Sequence, residues 1–479
     1  METSNQQYSP PFVSEVVPNE RTVCASAPGK VILFGEHAVV YGEPAVAAAL
    51  SDLRIFVQIT PVHSGTVRMI LPDLPTPIDY TLPATKLATL DNLQTPPLPN
   101  CAAYISQLFV DDDGTTNTYI DAFTITALTP LVYLVQQLAP PEMVAAGLVI
   151  AVRSQALPVG AGLGSSAAFG VAAAAALVLL GSNNNINSIS SSSAPPPPMR
   201  TGRPDEASLA VIDQYAYYSE ILLHGTPSGI DNAVSSHGGA IHFTKTPSKG
   251  VSMRHLQHLA PLDLLLVYTH VPRSTKHLVG AVGDMRDTYP AVACMLTAMG
   301  LIAEQFQTWW CNSSATTVHT TNGDDSSAAT VNVLTMVRTN QLLLKAVGVS
   351  HPSLDRICAV VDRVAGDQAA AKLTGAGGGG CAFVVLKPAQ PDQLDALRGK
   401  IQQALREQAH PWKFTCLQSS VGGDGVLWLS PSDFPKAAAD KRTFLETASS
   451  ARYAALALLA TGTCALAVMG LRRSAAGRR

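Results

Sequence analysis

The sequence predicts a mixed α+β or α/β chain in which strands and helices alternate. Three stretches carry that expectation. Arg54 to Thr60 (RIFVQIT) alternates like a half-buried strand. Gly147 to Ser154 (GLVIAVRS) is strand-like and leads into Pro158 to Ala168 (PVGAGLGSSAA), with its three glycines and two serines. An alanine-rich run, Phe169 to Leu180, then follows and suits only a helix.

Bulk properties bound the rest. With 479 residues, the chain has room for two or three domains with sizeable cores. Charged residues make up only 14%, the formal charge is -3 and no long basic block occurs, so nucleic acid is not an expected partner. Eight cysteines stand singly, without CxxC or Cys/His clusters. Neither a disulfide framework nor a zinc site is indicated, and a reducing compartment is expected.

Taken in order, residues 1–20 are polar, expected to be disordered, and lack a signal peptide's basic start and apolar run. Thr22 to Ala25 is β-prone and enters Ala27 to Leu50, which reads as strand, turn, strand and then a helix start. Residues 110–120 form a polar loop, and Ala122 to Leu138 has a helical pattern. Ser182 to Pro204 is a low-complexity Asn/Ser/Pro insert, and Cys311 to Thr330 a milder one; both are expected as surface loops. Between them lie an acidic helix (Glu206 to Leu223), a glycine-rich turn (His224 to Gly239) and strands near Ala240–Phe243 and Leu264–Thr269. Helices near Val331–Gly348 and Ser353–Val364 precede the loop Leu373 to Lys387 (LTGAGGGGCAFVVLK). The division expected is a first domain over 21–240, a second over 241–432 and an extension over 433–479. Within that extension Tyr453 to Leu471 has 19 uncharged positions between Arg452 and Arg472–Arg473. As a helix it would span roughly 28 Å, close to a bilayer's hydrocarbon core. Three readings stay open: a C-terminal anchor on the cytosolic face of a membrane, a helix docked on the fold, or an erroneous gene-model extension.

Five places carry chemistry. At Pro158–Ala168, glycines let backbone N–H groups approach an anion at a helix N-terminus, and the serines offer hydroxyls to a cation bound with it. A small-residue turn packed on a sheet is the plain alternative. At Ile212–Asn232, Glu220 and Asp231 are two carboxylates that can divide the work of holding Mg²⁺ and accepting a proton. A solvent-facing residue and a helix cap are the plain alternatives. In PGKVILFGEH, Lys30 follows a Pro-Gly turn, where a cation can stabilise phosphoryl charge, and Glu36 and His37 sit on the next turn. In Thr374–Gly380 (TGAGGGG) the backbone is open to close approach, and in Val271–Lys276 (VPRSTK) Arg273, Thr275 and Lys276 follow a strand end.

Together PGKVILFGEH, PVGAGLGSSAA and LTGAGGGGCAF, in that order, resemble the three motifs of the GHMP kinase superfamily. The versions here, with HGTPSGIDNAVS and VPRST, are most similar to those of its mevalonate-phosphorylating branch, over roughly residues 22–430. The resemblance implies a two-domain α+β GHMP kinase fold. Its N-terminal domain would hold a left-handed βαβ crossover and its C-terminal domain would be ferredoxin-like. It also implies a small-molecule kinase, cytoplasmic and often homodimeric, that transfers phosphate from ATP with Mg²⁺. Carried over by position, Asp231 is the catalytic acid–base residue and Lys30 its partner at the phosphoryl oxygens. Gly160, Ala161, Gly162, Leu163, Gly164, Ser165 and Ser166 cradle ATP, and Ser166 and Glu220 ligate Mg²⁺. Glu36, His37 and Thr275, with Asp231, line the acceptor site. Members are often inhibited by prenyl diphosphates that compete with ATP.

Overall fold

The computed structural model describes residues 18–436, apart from 91–92, 94, 98–99, 110–119, 190–199, 226, 247–249, 258, 260–261, 274, 314–324 and 388–389. The expected disorder over 1–17, most of the polar loop at 110–120, much of both inserts and the apolar run 453–471 lie outside the described residues.

The first half opens on two long strands, β1 (Val23–Phe34) and β2 (Ala45–Pro61), paired antiparallel. Ala45 to Leu50 was expected to begin a helix, and the structure corrects this. The run is the start of β2, and all six residues are buried between strand partners and helices, where small side chains fit either state. Arg54 to Thr60 is likewise buried throughout, not half-buried. A hairpin follows, β3 (Thr66–Leu71) and β4 (Ile78–Pro83). Short helices α1 (Ala84–Leu87) and α2 (Cys101–Ser106) lead to α3 (Ala122–Leu138), α4 (Pro141–Ala146) and β5 (Leu148–Gln155). β5 pairs parallel with β3 and antiparallel with β2.

Helix α5 (Ser165–Ile189) runs beneath β1 and β2, packs on α3 and α6 (Glu206–His224), and is buried on nearly every side. That explains why the run is apolar enough to cross a membrane and yet is a core helix. The helix continues past Leu180 to Ile189, so the low-complexity insert begins as helix and not as loop. Helix α7 (Ile230–His237) precedes the hairpin β6 (Ala240–Thr246) and β7 (Gly250–Leu256). β6 pairs with β2, so this hairpin sits with the first half of the chain, beyond the division placed at 240.

The second half begins with β8 (Leu262–Tyr268). Helices α8 (Thr275–Thr288), α9 (Pro290–Ser313), α10 (Asp325–Ala346) and α11 (Pro352–Ala365) follow. Then come β9 (Ala369–Leu373), β10 (Cys381–Leu386), α12 (Pro391–Glu407), β11 (Thr415–Val421) and β12 (Leu427–Leu429). The strands lie in the order β11-β8-β10-β9, all antiparallel. That is the ferredoxin-like arrangement expected for this half. A single pairing, Val421 with Leu50, joins its sheet to β2, and β12 returns to pair with β1.

Three apolar clusters result among the described residues. One fills the space between β1, β2, β5 and helices α3, α5 and α6 and reaches α9, with Tyr133, Phe109 and Trp310 fully buried. Another lies between β8–β10 and helices α8, α9, α11 and α12. A small third one joins α7 to β2 and β6 through Ile230, Val234, Ile241 and Phe243. Each fully buried Leu, Ile or Val contributes about 1.5–3 kcal/mol to holding these elements together.

Candidate active site

The first glycine loop and the starts of α5, α7 and α8 line a cavity of about 380 Å³, and the second glycine loop packs behind it on Arg273. Lys30 enters from β1, just past Pro28–Gly29, where the β1–β2 register shifts. A Cβ at Gly29 would fall 2.7 Å from Leu163 O, so only glycine lets this strand approach the first loop. The Lys30 amide donates to Leu163 O at 2.8 Å. Its side chain reaches Asp231, with Nζ 3.2 Å from Oδ1; the two side chains are 7% and 33% exposed.

Asp231 lies in the first turn of α7, after Gly229 in a left-handed conformation (φ 83°). One turn further on, Ser235 Oγ donates to Pro28 O at 2.7 Å in the interior. Residues four apart share a helix face, so this bond to β1 sets the separation of Asp231 and Lys30.

The first loop alternates. Gly160, Gly162 and Gly164 have φ of 75°, 83° and 71°, while Ala161 and Leu163 between them are fully buried and anchor the loop in the core. The three glycines and Ser165 and Ser166 line the cavity; Ala161 and Leu163 lie behind its wall. A Cβ at Gly162 would fall 1.6 Å from Arg273 Nη2, and one at Gly164 would fall 2.8 Å from Lys30 Cγ. Two cations thus occupy the space that side chains would need. Arg273 is pinned from its other side by the second loop, where Cβ atoms at Gly375 and Gly380 would fall 2.8 Å from Nη1 and 3.1 Å from Cδ. Its Nη1 is buried without a hydrogen-bond partner among the described residues. Burial pulls its pKa down and Cys381 and Asp231 oppose that, but a guanidinium stays charged.

Ser166 stands in the first turn of α5. One turn on, Gly170 packs so closely on α6 that a Cβ there would fall 2.4 Å from Ser219 Oγ. This close approach brings Glu220, 3% exposed, beside Ser166 and His224, which line the cavity. Its Oε1 is buried and has no hydrogen-bond partner among the described residues. Burial, helped by the nearby Asp231 charge and opposed by Ser166 and Lys30, pushes the Glu220 pKa up to about 8. His224 Nε2 lies 3.4 Å from Ser166 Oγ and 3.6 Å from Glu220 Oε2. An orphaned carboxylate oxygen beside a hydroxyl is the donor set of a hard divalent cation that takes its remaining ligands from phosphate and water.

The acceptor-side expectations meet a mixed outcome. Thr275 lines the cavity at the start of α8. Glu36 does not line it. Its Oε1 accepts from Lys372 Nζ and its Oε2 from Asn340 Nδ2 at 3.2 Å, with both charged side chains fully buried. Its carboxylate is therefore spent on the joint between the two halves, which a sequence motif cannot reveal. Breaking one partner of such a pair costs about 3–5 kcal/mol. His37 has a left-handed backbone (φ 60°), and its Nε2 donates to Ala376 O at 2.9 Å. Its Nδ1 is buried and unpartnered among the described residues, burial lowers the ring's pKa, and His37, like Glu36, is not among the residues that line the cavity.

Sequence reasoning gave no role to His224, although its spacing of four from Glu220 on one helix face was legible. It placed Arg273 past a strand end without bringing it to the glycine loops, because that contact joins residues far apart in the chain. It also missed the cavity's apolar end, formed by Leu71, Leu74, Phe123, Pro130, Phe169 and Leu223.

Known proteins resemble this chain in sequence and in fold. A family model described as GHMP kinases C terminal matches residues 330–407. The mevalonate kinase of Candida albicans is 33% identical over 427 residues, covering 86% of this chain and 90% of its own. That of Homo sapiens is 33% identical over 412 residues, covering 84% and 93%. Among solved structures, the L. major mevalonate kinase in complex with R-mevalonate aligns with a TM-score of 0.55 at 20% identity, covering 84% of this chain and 96% of that one. The Methanococcus jannaschii enzyme aligns with the same score over 84% and 99%. These last two speak to the fold, and the curated relatives to the lineage: the chain belongs to the mevalonate kinase family within the GHMP kinases.

Proposed function

We propose that this chain transfers the γ-phosphoryl group of ATP to the 5-hydroxyl of (R)-mevalonate, giving 5-phosphomevalonate and ADP, as a step of isoprenoid and sterol precursor synthesis. The observation that carries this reading is the Lys30–Asp231 contact at 3.2 Å beside the glycine loop. It puts a carboxylate that can take a proton next to a cation that can neutralise phosphoryl oxygens.

Phosphoryl transfer asks mainly for alignment and charge neutralisation. The cavity's apolar end suits a nucleotide base, and the N-terminus of α5 with its glycine loop suits the phosphates. Asp231 accepts or orients the hydroxyl proton. Lys30 and Arg273 offset charge on the transferring group from two sides. Thr275 holds a polar group of the acceptor. Ser166 and Glu220 are the residues that would hold Mg²⁺, which when bound supplies charge neutralisation at the phosphates.

The kinase body is read as cytosolic. In support, the seven cysteines among the described residues are all free, as a reducing compartment allows. The run at 453–471 is read as a membrane anchor on the cytosolic side, and the working unit as a homodimer. Phosphorus NMR of the protein incubated with ATP, Mg²⁺ and mevalonate tests the function. A phosphomonoester resonance should appear with ADP in equal amount, and ADP without it would contradict the assignment.

A further inference from the structure

Four polar contacts tie the end of β1 and the turn after it to β9 and the loop that follows, and a fifth, from Lys372 to Leu373 O, is local to β9. Thr374 Oγ1 donates to Ile32 O at 2.8 Å. Lys372 Nζ donates to Leu33 O at 3.1 Å, to Leu373 O at 2.9 Å and to Glu36 Oε1. His37 Nε2 donates to Ala376 O at 2.9 Å. From α10, Asn340 donates to Glu36 Oε2 and Gln341 Oε1 accepts from the Leu373 amide at 2.8 Å.

The centre of this network is an ion pair with no access to water. Lys372 and Glu36 both have fully buried side chains. Three acceptors surround the Lys372 nitrogen, matching the three protons of an ammonium group. The rings of Phe34 and Phe383 lie 5.5 and 4.9 Å from it, and their faces also favour a cation. A buried pair of this kind is weak evidence for stability, because well-packed apolar side chains do as well or better. Its location offers another reason for it. Glu36 lies six residues beyond Lys30, in the turn just after β1, and Lys372 stands three before Gly375, which packs on Arg273. The pair therefore joins the segment carrying one catalytic cation to the loop that pins the other.

We propose that Glu36 and Lys372 are positioning residues for phosphoryl transfer. Their pair holds the turn after β1 against the 374–380 loop, and so fixes the spacing of Lys30 and Arg273 around Asp231. The inference rests on the phosphotransfer reading given above, and it makes Glu36 a residue that acts through others and not one that touches mevalonate.

The test is the double variant Glu36→Met/Lys372→Met, which removes both charges and keeps side-chain length. Thermal unfolding, ATP affinity and steady-state kinetics are measured against the wild-type chain. The proposal expects the melting temperature and ATP affinity to stay at wild-type values or rise, while kcat falls tenfold or more, since small misplacements of reacting groups carry penalties of about that size. A kcat within twofold of wild type would overturn it, as would a loss of kcat that only follows a loss of folded protein. Should the double variant not fold, Asn340→Leu decides. It removes a donor from the buried Glu36 Oε2 while keeping the ion pair, so a modest fall in melting temperature is expected, and kcat of the folded variant should fall severalfold; an unchanged kcat refutes the proposal. Wild-type turnover of mevalonate is read alongside, so failure of the kinase reading shows in the parent protein and failure of this inference only in the variants.

Discussion

Lys30 and Asp231 meet at 3.2 Å, one on a strand whose register shifts just before it and the other in the first turn of a helix packed on that strand. The bond from Ser235 to Pro28 O locks that helix to that strand, so the contact is built into the fold. Asp231→Asn keeps the size and the helix and loses the proton acceptor. It should lower kcat by about 10²–10⁴-fold, the usual weight of a positioned acid–base group, with ATP affinity unchanged. Steady-state kinetics with ATP binding by calorimetry would show this, and a kcat within tenfold of wild type would remove Asp231 from the reaction.

Glu220 makes the protein without nucleotide sensitive to alkali. Its folded pKa of about 8 lies above the value of about 4.3 that it has in an unfolded chain. The protonated form thus favours the folded state. That contribution is whole below about pH 4.3 and is lost as pH rises through about 8. His224, whose pKa burial lowers, works in the opposite sense, so the comparison must isolate Glu220. Glu220→Gln should flatten the fall in melting temperature between about pH 4.3 and pH 8. Parallel curves for wild type and variant would mean that Glu220 is not held protonated.

Gly162→Ala tests the clamp on Arg273. The backbone there is left-handed, and the new Cβ would fall 1.6 Å from Nη2. Strain of this kind costs about 1–3 kcal/mol, and the guanidinium would have to move. A lower melting temperature and at least a tenfold rise in KM for ATP are expected. Wild-type KM and kcat would show that Arg273 sits elsewhere when nucleotide is bound.

Gly170→Val probes how α5 and α6 bring Ser166 and Glu220 together. A side chain at this position meets Ser219 Oγ at 2.4 Å and pushes the helices apart. The Mg²⁺ concentration for half-maximal activity should rise severalfold, with stability reduced by overpacking of about 1–3 kcal/mol. An unchanged Mg²⁺ titration in a folded variant would separate Glu220 from the metal.

Much of the site was legible because its chemistry sits in short motifs. Three glycines before two serines and an alanine run specify a loop and a helix start, whatever the rest of the chain does. What escaped depends on tertiary partners. Ala45–Leu50 is neutral between helix and strand until β1 and β6 claim it. Glu36 looks free to meet a substrate until Lys372, 336 residues on, is seen beside it. The hairpins β3–β4 and β6–β7 were not anticipated as units, since their register rests on β2 and β5 and not on strong turn signals of their own.

The central claim is the choice of acceptor. A coupled assay of ADP release, with the purified chain, ATP and Mg²⁺, compares mevalonate, phosphomevalonate and galactose directly. The account predicts saturable turnover with mevalonate, little with the other two, and loss of the mevalonate signal in Asp231→Asn. Preferential turnover of phosphomevalonate or galactose, or binding of ATP with no transfer to any of the three, would contradict it.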